Sequence, residues 1–113
     1  MAMIIPDDAD GDAIRRVIED GSDLTHPMVV EFQIDCPDLA SAESIAARIP
    51  HEFTTQVYRD PDDDSVTCEC SREMLLVYSE LVSIQRQLTE IATPFGGRCE
   101  AWGTFGNREN AEQ

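Results

Sequence analysis

The chain has 113 residues, 42% of them hydrophobic, which suits one ordinary core and excludes both a disordered chain and a multidomain one. It carries 23 acidic residues against 8 basic ones, all arginine, for a formal charge of -15. A surface this negative keeps the protein dissolved and repels phosphate backbones and anionic lipids, which excludes direct nucleic-acid or membrane binding and points to cationic partners.

No apolar run is long enough to span a bilayer, and no basic region followed by an apolar stretch opens the chain. A cytoplasmic location is therefore expected, with the four cysteines as thiols and not as a disulfide framework.

Residues 1–9 are short and acidic and are expected to be loose. Asp10 to Asp20 follows as a helix with Ile14, Val17 and Ile18 on one side, ended by Gly21. Its acids at Asp8, Asp10, Asp12 and Glu19 imitate a calcium loop, but the place that needs glycine holds Ala13. Carboxylates gathered at a helix N-terminus explain the run better. Pro27 to Asp35 is the clearest strand, with Met28, Val30, Phe32 and Ile34 alternating with Val29, Glu31 and Gln33.

Leu39 to Ile49 is a second helix, with Leu39, Ala42, Ile45, Ala46 and Ile49 facing inward and Pro50 stopping it. Phe53 to Arg59 alternates again, Asp60 to Asp64 is a turn by composition, and Ser65 to Cys70 returns as a strand. Ser71 to Ala92 has the spacing of a long amphipathic helix, with Met74, Val77, Tyr78, Leu81, Ile84, Leu88 and Ile91 on one face. Ser71 is its expected N-cap, Glu73 lies in its first turn, and Pro94 with Gly96 and Gly97 ends it. Arg98 to Thr104 is the last strand.

After the first helix the order strand, helix, strand, strand, helix, strand predicts an α+β fold. It is the ferredoxin-like βαββαβ two-layer sandwich, with a four-stranded antiparallel sheet in the order 4-1-3-2 and an extra N-terminal helix. Residues 10–107 make this single domain, and residues 108–113 form a short polar end.

No catalytic constellation is visible. His26 and His51 fall outside any metal or hydrolase pattern, the serines lack a nucleophile elbow, and the glycines lack the lysine of a phosphate loop. Cys68 and Cys70 share a strand face, with Cys99 and Cys36 on other strands, so a thiolate metal site or a cysteine-based enzyme is one alternative function. The spacing is not a zinc knuckle, however, and the cysteines share the phase of core residues such as Val66 and Phe32. No cofactor or metal is therefore expected.

The alternation leaves one sheet face without helices. It places Glu31, Gln33, Thr54, Gln56, Tyr58, Thr67, Glu69, Glu100 and Trp102 there. Aromatic side chains on such a face bind RNA when basic residues accompany them, but here the company is acidic. Arginine side chains of a protein partner suit it better, since they stack and pair at once. The alternative is that the first helix covers this face and Trp102 packs beneath it. The expected partner-binding residues are Glu31, Tyr58, Glu69, Glu100 and Trp102, with Asp62, Asp63 and Asp64 at the hairpin tip.

Three stretches together resemble a known family. They are Asp10-Gly11-Asp12 through Glu19-Asp20-Gly21-Ser22-Asp23, then Cys68-Glu69-Cys70-Ser71-Arg72-Glu73-Met74, and finally Gly96-Gly97-Arg98-Cys99-Glu100-Ala101-Trp102-Gly103-Thr104-Phe105. The acidic end of the first helix and the closing Ala-Trp-Gly-Thr block are similar to the regulator of ribonuclease E activity B family, RraB. The resemblance implies a ferredoxin-like core in a small acidic cytoplasmic protein that binds ribonuclease E and inhibits it, altering messenger RNA decay. The expected inhibitor acts on the enzyme and not on RNA, through a basic region of the enzyme. Family members often end in a long acidic tail where this sequence has a short polar end, so weaker inhibition or another partner is a second expectation. An acidic partner that neutralises a different basic protein, such as a toxin, is the remaining alternative.

Overall fold

The computed structural model describes residues 7–107. The polar end at residues 108–113 and most of the loose start lie outside them.

Helix α1 spans Ala9–Glu19 and begins slightly earlier than expected, because Asp8 caps it by accepting from the Gly11 backbone N–H at 2.8 Å. Gly21, at a φ of 102°, takes the left-handed turn that ends it. Three of the acids that imitate a calcium loop, Asp8, Asp10 and Asp12, have another task here. Asp12 pairs with Arg15 at 2.8 Å, and Asp10 accepts from Gln85 and Trp102.

Strand β1 is Met28–Cys36, helix α2 Leu39–Ala46, β2 Thr54–Arg59, β3 Val66–Met74, α3 Tyr78–Ala92 and β4 Arg98–Thr104. The sheet runs β2-β3-β1-β4, every neighbouring pair antiparallel, which is the expected 4-1-3-2 order viewed from the other edge. Val30, Phe32 and Ile34 are fully buried beneath α2 and α3, against Ile45, Leu81 and Leu88. Burying each such side chain contributes roughly 1.5–3 kcal/mol. Leu39, expected to face inward, is 40% exposed as the first residue of α2.

The long helix is shorter than its periodicity suggests. Residues Ser71 to Met74 belong to β3, and α3 begins at Tyr78 after the buried Leu76. Ser71 therefore caps nothing; Val77 holds that place without a side-chain cap. The cause is long-range. The backbone of β1 continues to Met28, which pairs with Met74, so every residue from Val66 to Met74 has a ladder partner. Met74 satisfies the helical and the strand spacing alike, and sheet pairing decides between them.

The acidic hairpin forms as expected. The Asp62 and Ser65 backbone N–H groups donate to the carboxylates of Asp60 and Asp63 at 2.8 and 2.9 Å, and Asp64 takes a φ of 63°, which aspartate tolerates.

Candidate protein-binding surface

Side chains opposite one another across antiparallel strands share a face. The register therefore sorts the sheet. Its inner face carries Val30, Phe32 and Ile34 with Cys70 and Cys68. Its outer face carries Val29, Glu31, Gln33 and Asp35 with Thr67, Glu69, Ser71 and Glu73. Strand β2 adds Thr54, Gln56 and Tyr58 to the outer face. Among the described residues no helix lies over it: α2 and α3 both pack on the inner side, and α1 packs against α3.

The outer face has a polar chain across three strands. The Tyr58 hydroxyl on β2 donates to Gln33 Oε1 on β1 at 2.9 Å, reaching over β3 to do so. Gln33 Nε2 donates to Glu69 Oε2 on β3 at 3.0 Å. Glu31 is the next outward residue along β1. Partial burial, and then the charge of Glu69 and a hydrogen bond to it, hold the Glu31 carboxyl above the usual carboxylate range. Burial and then the Glu69 charge likewise raise the Tyr58 phenol. Two carboxylates thus stand diagonally across neighbouring strands on an open surface, and Glu31 is made costlier by its burial and by Glu69. An arriving guanidinium would relieve both.

Glu100 is the extra residue of a β-bulge. Gln33 pairs with Ala101 and Ile34 with Cys99, so Glu100 has no opposite number. Its carboxylate meets the Arg98 guanidinium at 3.1 Å, and both side chains are exposed. Asp62, Asp63 and Asp64 stand at the hairpin tip, beyond the Tyr58 end of the face. The Ser65 backbone N–H holds Asp63 below its ordinary range.

Trp102 is the correction. The bulge reverses the alternation between Cys99 and Trp102, so Trp102 lies opposite Phe32 on the inner face. There it is half-buried against the core, and its indole N–H donates to Asp10 Oδ1 at 2.9 Å. Asp10 also accepts from Gln85 of α3 at 3.2 Å, so one carboxylate ties α1 to the sheet and to α3. The first helix therefore leaves the outer face open. Glu73, expected in a helix, stands outward opposite Val29, and Phe105, just past β4, is 93% exposed. The sequence pattern put Glu73 in a helical turn and not on the sheet, because its segment also fits a helix, and Phe105 just beyond the last strand carries no periodic sign.

The cysteines sit on the helix side. Cys36, Cys68 and Cys70 are buried and Cys99 half-buried. Burial pushes the thiols of Cys36 and Cys99 up to about 11. A hydrogen bond with Cys68, and burial next, push Cys70 up as well. The same hydrogen bond lowers Cys68 against its burial; the three raised thiols, held protonated, are poor nucleophiles and poor metal ligands. Among the described residues no three His, Cys, Asp or Glu side chains are placed to hold a metal ion. Nor is any helix there long and apolar enough to cross a membrane. A cleft of about 400 Å³, lined by Arg72, Met74, Leu75, Val77, Ser79 and Glu80, opens where β3 gives way to α3.

The described residues form a two-layer α+β domain with an open β-face rich in carboxylates. The chain belongs to a family of regulators: the family described as "Regulator of ribonuclease activity B" matches residues 7–104, most of the chain. Its members are regulators of ribonuclease activity, which gives the domain a protein partner. A comparison with curated proteins finds no match.

Proposed function

We propose that this protein inhibits ribonuclease E in the cytoplasm by docking its outer β-face on a basic region of the enzyme that otherwise holds RNA. It transforms no substrate and touches no nucleic acid. The observation that carries this reading is the open outer face with Glu31 and Glu69 side by side in a chain of formal charge -15. Family membership supplies the ribonuclease. The contact residues are Glu31, Tyr58, Glu69 and Glu100, with Asp62, Asp63 and Asp64 steering approach from the hairpin tip. The two glutamates receive arginine, and the Tyr58 ring offers a face on which a guanidinium stacks.

The test is binding of an arginine-rich segment of ribonuclease E at rising salt, together with cleavage of an RNA substrate. Screening shortens to about 8 Å at physiological ionic strength, so affinity and inhibition should fall together as salt rises. Affinity that ignores ionic strength, or binding without loss of cleavage, would refute the mechanism.

A further inference from the structure

Three of the exposed large hydrophobic side chains lie at one end of the sheet. Val29 is 51% exposed, Leu75 47% and Phe105 93%. Val29 pairs with Glu73, Leu75 follows the end of β3, and Phe105 follows Thr104, the partner of Val30. The Phe105 backbone is not a fraying end. On one side Thr104 Oγ1 donates to the Val29 carbonyl at 2.6 Å and accepts from the Gly106 N–H at 3.0 Å. On the other, the Asn107 side chain accepts from the Asp23 N–H at 2.8 Å and donates to the carbonyls of Asp23 and His26 at 2.7 and 3.0 Å. Gly106 between them has a φ of 80°, and a Cβ there would fall 2.1 Å from Ser22 Oγ. A fixed frame thus presents one aromatic ring to water.

Such a ring, preorganised and rimmed by polar groups, has the properties of an interface anchor. Its occupant must be cationic, because Glu73 and Glu31 stand beside Val29 on the same face. A second copy of this chain does not fit, since two bodies of charge -15 repel. We propose that Phe105, with Val29 and Leu75, anchors a basic segment of the partner that carries apolar side chains among its arginines. This rests on the docking proposed above and adds its chemistry: arginines for the carboxylates, an apolar side chain for the Phe105 end.

Two synthetic peptides of equal length and charge test it, one alternating Arg with Leu and one alternating Arg with Ser, each titrated against the full chain and against Phe105→Ala. The expected result is about tenfold tighter binding of the Arg/Leu peptide, lost in Phe105→Ala, with the same salt dependence for both peptides. An unchanged melting temperature for the variant shows that the exposed ring left the fold alone. Equal, salt-sensitive binding of both peptides overturns the anchor and leaves the acidic docking standing. A preference for Arg/Leu that persists in Phe105→Ala also overturns the anchor. Binding of neither peptide overturns the docking and the anchor with it.

Discussion

Replacing Glu31 with glutamine should make the protein more stable and a weaker binder at once. Glu31 and Glu69 are like charges on adjacent strands, and the carboxyl of Glu31 is raised by burial first and by Glu69 second. A group whose folded pKa lies above its unfolded value is relatively favourable below the unfolded pKa and loses that advantage as pH rises through the folded pKa. At pH 7 the ionised Glu31 is therefore a cost to the fold. Glu31→Gln removes it and lets an amide donate to Glu69, as Gln33 does already at 3.0 Å. Directly opposed cross-strand pairs are worth roughly 0.2–1 kcal/mol, which bounds this diagonal pair from above. In a domain of this size that bound corresponds to a rise in melting temperature of at most roughly 8 °C at pH 7. The gain should vanish near pH 3, below the ordinary glutamate pKa of about 4.3. The same change deletes one cation partner from the open face, and affinity for a ribonuclease E segment should fall by up to roughly fivefold. Thermal melts at the two pH values and one titration test all of this. A lower melting temperature at pH 7, or a gain that persists at pH 3, would refute the carboxylate argument.

Three other outcomes follow from the packing. Gly97→Ala should destabilise by roughly 1–3 kcal/mol in a denaturant titration, because its Cβ would lie 2.9 Å from Ile45 Cδ1 and 3.0 Å from the Asp35 carbonyl. The thiols of Cys36, Cys68 and Cys70 should react with a disulfide reagent at pH 8 only as fast as the protein opens, since all three are buried out of the reagent's reach and those of Cys36 and Cys70 are also raised; urea should release them. Trp102→Phe should cost roughly 1.5–3 kcal/mol by removing the donor to the Asp10 carboxylate, with faster amide exchange in α1 and unchanged affinity for a ribonuclease segment. Weakened affinity in a variant that keeps its helix protection would place Trp102 in the interface after all.

The strength of a pattern decides how much of this was legible. Strand β1 alternates over nine residues with one face wholly apolar, and such a pattern has one physical solution. The carboxylates of Glu31 and Glu69 and the ring of Tyr58 were assigned to the open face by the same alternation, and the register agrees. Residues 71–77 fit two periods, and only the length of the partner strand chooses between them, a fact that lies forty residues away in the chain. Trp102 and Glu100 depend on a bulge, which is a property of a strand pair and not of one strand. Phe105 is legible only once the clamp around it is known, because exposed aromatics at strand ends carry no periodic sign.

The bulge and the packing of α1 agree on the open face. In an unbroken register running from the Asp35–Arg98 pair, Trp102 would stand opposite Glu31, on the outer side. Helix α1 is held on the inner side by the fully buried Ile14, so the indole could not reach Asp10 from there. The extra residue turns the indole inward, so the Trp102–Asp10 bond forms on the helix side and α1 stacks beside α3. A sheet face left bare in this way needs protection against wrong partners, above all against another copy of itself. Glu31, Glu69 and Glu73 provide it by like-charge repulsion. Under the proposed docking, the carboxylates that would receive a cationic partner are also the groups that would disfavour a second copy, and burial first and Glu69 second raise the Glu31 carboxyl in the meantime.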